Sequence, residues 1–482
     1  MSVRLCGRPA GFLLVGGKGC PGFLGRNGSS FKSWNCGSPR RGSGPVVPLA
    51  SSASVSGPLE EGLLDGGRRQ GGRKVAGVDQ DELVDPVILA DPDSCFCEFR
   101  GLNIHHKVFD PESAAHRLFE DDGVASHMSG LSGGAKLPPM ILLHGFGASV
   151  YSWNWVMKRL GQITGSKVLA FDRPAFGLTS RVSPASASHR NKDVKPLNPY
   201  SMAFSVLATL YFMDFLANQK AILVGHSAGS LVAVETYFEA PERVAALILV
   251  APAIMAPVFA SQGKKRNQSE SNYQAGNEQS MAEAPNNLLS RIAGLLSRLM
   301  KNAFLGIVQI VDAMGKMISR FYKKALAALL KSALAVMLVR MAIDKFGVAA
   351  IKNAWHDPAR VTEHILYGYT KPLRSKDWDR ALVEYTAAML LEASTEKPPL
   401  SKRLPEISCP VLIITGDNDR LVPSWNAEKL SQAIPGSSFE VIRNCGHLPH
   451  EEKVEEFISV VDKFLRRAFD GSNQHQLLHS VT

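Results

Sequence analysis

The chain has 482 residues, of which 45% are hydrophobic, and its formal net charge is +10. This hydrophobic content suffices for a large core and excludes a chain that is disordered throughout. The basic residues are concentrated in two segments: residues 1–59 carry +7 and residues 288–355 carry +9, so the rest of the chain carries −6. The overall basic charge is thus a property of these two segments, and the second is too apolar, without interleaved aromatic residues, to favour nucleic acid as its partner.

Residues 1–59 contain seven arginines and lysines, many glycines and serines, and no aspartate or glutamate. This composition is typical of a transit peptide, and apolar stretches such as 12–15 are too short for a secretory signal. We therefore predict a transit peptide and disordered leader over residues 1–75, addressed to the chloroplast, with the mitochondrion as the alternative. A disordered basic tail without a targeting role is the structural alternative. At the other end, we predict a disordered tail over residues 470–482.

Cysteines mark an early strand. Cys95 and Cys97 alternate in "CFCEFRG", which predicts that both side chains lie on one face of a strand. No second cysteine pair at metal-ligand spacing accompanies them. We therefore predict free thiols in a reducing compartment, no metal site and no cofactor.

The segment "PPMILLHGFGAS" combines an apolar run, Met140–Leu143, with a glycine-rich turn. A turn of this kind, with Gly145 and Gly147 beside Phe146, can direct the backbone N–H of Phe146 at a developing negative charge. Such a donor contributes roughly 10²- to 10³-fold to a rate. We predict a structural hydrogen bond for His144, which ends the apolar run.

A second glycine-flanked motif is "VGHSAGS", where Ser227 lies between Gly225 and Gly229 after the apolar run 221–224. A nucleophilic serine requires a sharp turn from strand to helix, and small neighbours are needed because backbone and substrate crowd that turn. We predict Ser227 as the nucleophile and the N–H of Ala228 as the second oxyanion donor. A helix-capping serine is the structural alternative.

A nucleophilic serine needs a histidine that takes its proton and an acid that orients the histidine. Downstream, "CPVLIITGDNDRLVP" contains Asp417 and Asp419 after an apolar run, and "FEVIRNCGHLPHEE" contains His447 after another. We predict His447 as the base and Asp419 as the acid, because Gly416 and Asp417 begin the turn and Asp419 falls where the loop should point toward the histidine. Asp417 remains the alternative acid, although a turn-capping role suits it better. The other histidines are predicted to be surface or core residues.

Residues 253–400 interrupt the core pattern. The polar segment 261–287 is predicted to be mobile because it has few large apolar residues. Helical spacing predicts one helix from residue 288 and a more apolar one over 321–343. Basic helices with apolar faces suit peripheral binding to an anionic membrane, whereas the alternative is a cap that buries its apolar face and leaves its lysines in solvent. We predict no nucleic-acid partner.

The stretch 244–260 is apolar and uncharged for 17 residues, which is near the lower limit for a membrane span. Pro252 and Pro257 interrupt it. We predict a buried strand followed by a loop.

These motifs, in this order, make the chain resemble the α/β-hydrolase-fold serine hydrolases over about residues 95–468, including "FDRPAFGLTSR" at 171–181. Within that superfamily it is similar to capped single-domain hydrolases, among them carbon–carbon bond hydrolases and plant plastid esterases of prenyl lipids. The resemblance implies an α/β fold with a mostly parallel eight-stranded sheet, helices on both faces and a helical cap. The core would comprise residues 90–252 and 401–469, and the cap residues 253–400.

The resemblance also implies a serine hydrolase that cleaves a carboxylic ester of a lipophilic small molecule or lipid through an acyl-enzyme. Ser230 stands where the carbon–carbon bond hydrolases usually have glycine, and His226 stands where they often have asparagine. Both departures weaken the alternative that this chain hydrolyses carbon–carbon bonds. A serine nucleophile argues against epoxide hydrolase or dehalogenase chemistry. An acyltransferase and a slow-turnover ligand-binding relative remain alternatives.

Overall fold

The computed structural model describes residues 74–114, 136–181, 197–216, 219–255, 317, 321–322, 325–330, 332–392 and 400–479. The predicted leader up to residue 73, the predicted mobile segment 261–287 and the predicted helix from residue 288 lie outside them. The strands are β1 (Lys74–Val75), β2 (Val78–Asp79), β3 (Cys95–Phe99), β4 (Leu102–Phe109), β5 (Met140–Leu143), β6 (Val168–Phe171), β7 (Ala221–His226), β8 (Val244–Val250), β9 (Val411–Gly416) and β10 (Ser438–Ile442).

The longer helices are α1 (Met157–Thr164), α2 (Met202–Phe215), α3 (Ala228–Glu239), α4 (Ala333–Ala354), α5 (Glu363–Thr370), α6 (Trp378–Glu392), α7 (Ser424–Ala433) and α8 (Val454–His479). Two short α-helices span Leu400–Arg403 and Pro449–Glu452. The 3₁₀ turns span Pro86–Leu89, Val150–Trp153, Pro241–Arg243, Pro358–Arg360, Lys371–Arg374 and Leu404–Glu406.

Strands β3 to β10 form one eight-stranded sheet in the order β10-β9-β8-β7-β5-β6-β4-β3. The pairs β3–β4 and β4–β6 are antiparallel and the others are parallel. The predicted α/β-hydrolase fold with a mostly parallel eight-stranded sheet is therefore confirmed. Because parallel strands end at the same edge, the loops after β5, β7, β9 and β10 converge there, and these loops carry the predicted site residues.

The central strands are buried on both faces, and successive side chains point to opposite sides of the sheet. In β5, Ile141 and Leu143 belong to one core layer, whereas Met140 and Leu142 belong to the other. The first layer includes residues of α2, α3 and α7, namely Phe204, Phe212, Val232 and Leu430. The second includes residues beside α1 and on α8, namely Trp153, Leu160, Phe457 and Phe464. Helices therefore cover both faces of the sheet.

Helices α4, α5 and α6 are inserted between β8 and β9. The predicted helix over 321–343 is divided: residues 321–322 and 325–330 are helical, and α4 begins after Ser332 and continues to Ala354. Ser332 lies in an extended conformation and its side chain accepts the N–H of Ala335. A serine that satisfies a first-turn N–H in this way starts a new helix, which explains the boundary.

Both ends of the described chain differ from the predicted boundaries. Lys74 and Val75, predicted as the last leader residues, pair with Asp79 and Val78 in a two-stranded ribbon. Helix α8 continues to His479, ten residues into the predicted disordered tail. The sequence after residue 469 contains no proline and one glycine, so little in it interrupts a helix.

The apolar stretch 244–260 begins as strand β8, as predicted, and this strand lies inside the sheet. Within the part of the chain that the structure describes, no helix combines the length and apolarity needed to cross a membrane.

Candidate active site

Ser227 occupies a sharp turn between β7 and α3. Its φ of 50° and ψ of −117° place it outside the conformations that residues with a side chain normally adopt. Such a backbone costs on the order of 1–3 kcal/mol, and it persists only where the surroundings enforce it. Here the Ser227 N–H donates to Val250 O at 2.9 Å, and the Ser227 carbonyl accepts the N–H of Ser230 at 3.0 Å. The turn presents a half-buried serine at the carboxyl edge of the sheet.

The predicted turn glycines allow three segments to approach closely. A Cβ atom on Gly225 would lie 2.6 Å from Gly229 O, and one on Gly229 would lie 2.1 Å from Leu143 O. A Cβ atom on Gly145 would lie 3.2 Å from the Cβ of Ser227. A side chain at Gly225 or Gly229 would therefore separate β5, β7 and α3, and one at Gly145 would crowd the serine.

The two predicted oxyanion donors lie next to the contact between Gly145 and Ser227. Phe146 lies in the turn after β5, next to Gly147, whose φ of 70° favours glycine. Ala228 is the first residue of α3, so its N–H has no acceptor one turn earlier in the helix. Both N–H groups thus belong to turns that flank Ser227.

His144 and Arg173 hold the oxyanion turn from behind. The guanidinium of Arg173 is buried and donates to the carbonyls of His144 at 3.1 Å and Gly145 at 3.3 Å. The Arg173 N–H donates to His144 Nε2 at 3.0 Å, which leaves Nδ1 to donate to Gly145 O at 2.8 Å. Burial, together with the charge of Arg173, lowers the pKa of His144 to about 4. His144 is therefore a neutral residue with hydrogen bonds to backbone, consistent with the prediction.

The structure brings Asp419 to His447. His447 Nδ1 lies 2.7 Å from Asp419 Oδ2, and both residues are buried. The other oxygen of Asp419 accepts the N–H groups of Leu421 and Val422, each at 2.8 Å. The carboxylate is thereby held in one orientation by the turn that follows β9.

Asp417 has a different partner. Its side chain is exposed and Oδ1 accepts the N–H of Cys445 at 3.1 Å. Partial burial alone would raise the pKa of Asp417, but this hydrogen bond and others hold the pKa below its ordinary value. Asp417 therefore caps a turn, the role for which its position in the sequence suited it.

Backbone contacts fix the loop that carries His447. The His447 N–H donates to Ala354 O, the last residue of α4, at 2.7 Å. His226 Nε2 donates to His447 O at 3.0 Å, and the two rings lie 4.9 Å apart between centroids. Since Ser227 follows His226 directly, this contact places the serine turn beside the histidine loop. No hydrogen bond joins Ser227 Oγ to another described residue, and in sites without substrate such bonds are often long.

Sequence reasoning missed Glu452 and Arg173. Glu452 Oε1 accepts the N–H of Gly446 at 3.0 Å, and Oε2 accepts the N–H of His356 at 2.7 Å. It thereby connects the histidine loop to the residues that follow α4. The available signals were the paired glutamates shortly after His447 and the adjacent aspartate and arginine in "FDRPAFG", directly after an apolar run.

His226 and His450 are core residues. Burial holds the pKa of His226 well below its ordinary value, and burial lowers the pKa of His450 to about 3. Both rings are therefore neutral near pH 7, and neither carries a charge that competes with His447.

Aromatic rings form a wall beside the oxyanion turn. Phe146, which is 55% exposed, lies 5.5 Å from Phe176 and 6.0 Å from Tyr385 of α6, measured between ring centroids. The guanidinium of Arg173 lies 5.3 Å from the centroid of Phe176. An inserted helix therefore meets the core at a wall of rings next to the predicted oxyanion donor.

A second set of serine, histidine and aspartate lies where β4 and the carboxyl end of β6 meet. His105 Nδ1 lies 2.6 Å from Asp172 Oδ2, and His105 Nε2 lies 2.8 Å from Ser94 Oγ. Sequence reasoning did not single out any of these residues. No motif spacing relates them, because His105 lies in β4 while the other two lie in separate loops.

Residues 138–454 match the family model described as the alpha/beta hydrolase fold, and this match covers more than half of the chain. With the sheet order and the serine turn, this identifies the class: the chain belongs to the α/β hydrolase fold family.

Among curated proteins, the chain is 23% identical over 336 residues to 2-hydroxy-6-oxo-6-phenylhexa-2,4-dienoate hydrolase of Comamonas testosteroni, with 68% of this chain and 87% of that protein covered. It is 42% identical over 79 residues to 2-hydroxy-6-oxononadienedioate/2-hydroxy-6-oxononatrienedioate hydrolase of Klebsiella pneumoniae subsp. pneumoniae. That alignment spans 16% of this chain and only 27% of the Klebsiella protein. Among solved structures, a putative lipase from Acinetobacter baumannii AYE has a TM-score of 0.47 and 15% identity, with 78% of this chain and 92% of that chain covered.

Proposed function

We propose that this protein is a serine hydrolase that cleaves a carboxylic ester of a lipophilic substrate through an acyl-enzyme. The observation that carries the proposal is the 2.7 Å contact between His447 Nδ1 and Asp419 Oδ2, on loops at the same sheet edge as the strained turn of Ser227. A histidine held by a carboxylate next to a serine at a strand-to-helix turn is the arrangement that activates a hydroxyl.

In the first half of the proposed reaction, Ser227 Oγ attacks the ester carbonyl while His447 Nε2 takes the hydroxyl proton. Asp419 keeps the Nδ1–H tautomer in place and stabilises the imidazolium that forms. The negative charge that develops on the carbonyl oxygen is stabilised by the N–H groups of Phe146 and Ala228. The ester C–O bond then breaks, and the alcohol leaves with the proton from His447.

In the second half, a water molecule attacks the acyl group on Ser227 after giving a proton to His447. The tetrahedral intermediate uses the same two N–H donors. When the bond to Ser227 Oγ breaks, the serine regains its proton from His447 and the carboxylic acid is released. No metal or cofactor takes part in these steps.

The ring wall supports a lipophilic substrate. Phe146, whose N–H is one of the proposed oxyanion donors, contacts Phe176 and Tyr385, so an apolar group bound near the carbonyl would be in contact with rings rather than water. Tyr385 belongs to helix α6, so we propose that the inserted helices act as a cap over the site.

Carbon–carbon bond hydrolysis is the second candidate. The Comamonas and Klebsiella relatives are named as hydrolases of 2-hydroxy-6-oxo dienoates, which favours this chemistry. Ser230 and His226 count against it, as predicted from the sequence. The two activities can be separated by measuring kcat/KM of the purified protein for 2-hydroxy-6-oxo-6-phenylhexa-2,4-dienoate and for p-nitrophenyl esters. The preferred substrate has the higher kcat/KM.

An ester series tests the main proposal. We expect hydrolysis of p-nitrophenyl esters to rise in kcat/KM with acyl chain length, and a fluorophosphonate to label the protein at Ser227. Labelling without turnover would favour the slow-turnover alternative, and transfer to an added alcohol in preference to water would favour an acyltransferase. Absence of both labelling and hydrolysis would overturn the proposal.

We also propose that the leader directs the protein to the chloroplast, on the basis of seven basic and no acidic residues in its first 59 positions. A reporter fused to residues 1–75 is expected to enter chloroplasts. Mitochondrial uptake would favour the alternative address, and a cytosolic reporter would reject targeting altogether.

A further inference from the structure

Helix α4 presents an exposed apolar stripe, defined here by Leu334, Met337, Leu338 and Met341. Their spacing of three and four residues places them on one side of the helix. They are 47%, 56%, 41% and 56% exposed, respectively. Large apolar side chains on one face of an inserted helix normally pack against the core, so a contiguous exposed set of this kind marks an interaction surface.

The same side of α4 becomes cationic toward its end. Lys345 and Lys352 follow Leu334 by 11 and 18 residues, which are close to whole numbers of helical turns. Both are exposed. The side of the helix therefore combines an apolar half with a basic half.

The acidic residue of α4 is engaged elsewhere. Asp344 accepts the N–H of Ala76 at 2.9 Å, next to the β1–β2 ribbon. Arg340 is paired with Asp379 of α6 at 2.5 Å, on the side of the helix that faces the protein. Neither group neutralises the two lysines, which are left to face an external partner.

The positive charge of α4 and its neighbours distinguishes among the partners that could cover the side with the apolar stripe. Residues 316–352 contain eight lysines and arginines against Asp344 alone. Residues 288–316 are themselves basic, with Arg291, Arg298, Lys301 and Lys316 against Asp312, so this segment of the chain is a poor electrostatic complement. A second copy would present the same side of α4, with two lysines and no acidic residue left to pair with them. An anionic lipid surface complements both the apolar and the cationic half.

We propose that the apolar stripe of α4, together with Lys345 and Lys352, docks the protein on an anionic lipid bilayer. The side chains of the stripe enter the region between headgroups and acyl chains, and the lysine ammonium groups bind lipid phosphates. This docking is independent of the ester chemistry.

A link to catalysis rests additionally on the proposed function. Helix α4 ends at Ala354, whose carbonyl accepts the N–H of His447. The docking helix and the candidate base are thus connected through one hydrogen bond, and the bilayer becomes the source of the lipophilic ester.

Vesicle sedimentation with the full chain tests the docking. We expect binding to phosphatidylcholine vesicles that contain phosphatidylglycerol, and weaker binding to phosphatidylcholine alone. The double variant Met337→Gln/Met341→Gln should bind the anionic vesicles at least about tenfold more weakly than the parent, because two apolar groups no longer leave water. Lys345→Gln/Lys352→Gln should lose about fivefold per charge, an effect that high salt removes.

The matched control is Leu390→Gln/Lys429→Gln, which replaces one exposed apolar and one exposed basic residue on other helices. It should bind like the parent. The docking proposal is overturned if the parent does not bind anionic vesicles, or if the methionine variant binds them as well as the parent does. It is also overturned if that variant dissociates a dimer, which would assign the stripe to a second copy, or lowers the unfolding temperature, which would assign it to a segment of the same chain.

Ester assays separate this proposal from the proposed function. Both α4 variants should hydrolyse a short soluble ester at the parental rate, since the candidate site is unchanged, and should hydrolyse a vesicle-embedded ester more slowly. Vesicle binding by a protein that cleaves no ester would support docking and overturn the hydrolase proposal. Ester cleavage without vesicle binding would do the opposite.

Discussion

Two sets of serine, histidine and aspartate occur among the residues that the structure describes, and they differ in the backbone that carries the serine. In the candidate active site, His447 is held by Asp419 next to the candidate nucleophile, whose hydroxyl has no hydrogen bond to a described residue. In the second set, a continuous hydrogen-bonded chain joins Asp172, His105 and Ser94. By connectivity alone, the second set is the more complete of the two.

The surroundings reverse that ranking. Ser227 has a positive φ and lies against the Gly145 turn, next to the backbone N–H groups that we propose as oxyanion donors. Ser94 has no positive φ, and its Oγ already accepts the N–H of Asp91 at 3.0 Å. A hydroxyl that serves as acceptor for its own turn is a structural group.

The carboxylates differ in the same way. Asp172 accepts the N–H groups of Val150 at 2.6 Å and Leu178 at 2.7 Å, in addition to its contact with His105. It thereby joins strand β4 to two loops. A chain of hydrogen bonds through serine, histidine and aspartate can thus serve only to hold polar groups in place. Attack on a carbonyl also requires that the serine lie in a strained turn with N–H donors beside the serine.

The largest expected effect separates the two serines. Ser227→Ala should lower ester turnover by about 10⁴-fold or more and abolish fluorophosphonate labelling, because only oxyanion and binding contributions remain. Ser94→Ala serves as the control and should keep both. Labelling of Ser94 in the Ser227→Ala protein, identified by peptide mass spectrometry, would contradict the structural role assigned to Ser94.

The next effect separates the two aspartates of one loop. Asp419→Asn should lower kcat by about 10³- to 10⁴-fold, since an amide no longer stabilises the imidazolium or fixes its tautomer. Asp417→Asn keeps an oxygen that can accept the Cys445 N–H but loses its charge, so it should cost about 1 kcal/mol of stability or less, with kcat nearly unchanged. Steady-state kinetics of both variants with one soluble ester decide this. The reverse ranking would assign the acid to Asp417.

Asp172→Asn should act on stability more than on chemistry. Removing a buried charge that binds His105 and two backbone N–H groups is expected to cost about 2–4 kcal/mol in the free energy of unfolding, as measured with urea. Its kcat per folded molecule should fall far less than that of Asp419→Asn. A parental unfolding free energy would show that the second set contributes nothing to the fold.

The same carboxylate predicts a dependence of stability on pH. Burial alone would raise the pKa of Asp172, but His105 and the backbone N–H of Leu178 outweigh it and hold the pKa at about 2, below the ordinary 3.8. A depressed folded-state pKa contributes stability above the unfolded value, and this contribution is lost as the pH falls from about 4 toward about 2, amounting to about 2 kcal/mol. The difference in unfolding free energy between parent and Asp172→Asn should therefore shrink over that window. A constant difference would contradict the assignment.

The smallest effect belongs to Ser94→Ala. Loss of its bonds to His105 and the Asp91 N–H should cost about 1 kcal/mol in the free energy of unfolding, with ester kcat within about twofold of the parent. Thermal and urea unfolding measure the first quantity. A large fall in kcat, without a fall in stability, would give Ser94 a role in catalysis.

Local patterns were sufficient for much of the fold. Apolar runs ending in glycine-rich turns predicted β5 and β7, and similar runs before Asp417 and His447 predicted β9 and β10. These predictions succeed because buried parallel strands need continuous apolar residues and the turns after them need small ones. The boundary of α4 was not predicted in this way, since apolar residues continue on both sides of Ser332 and the serine by itself does not show that it caps a helix.

The sequence by itself determined the class of fold, the order of the motifs and the choice of residue types for the candidate site, because each is encoded in short stretches of chain. Only the tertiary structure decided which aspartate meets His447, that Arg173 and Glu452 hold the loops around it, and that a second Ser–His–Asp set exists. Most of these contacts join residues that are 28 to 96 positions apart, such as Asp419 and His447 or Glu452 and His356. The physical reason is that hydrogen bonds depend on distance and direction within a few tenths of an ångström, and only the packed sheet and its helices set those quantities.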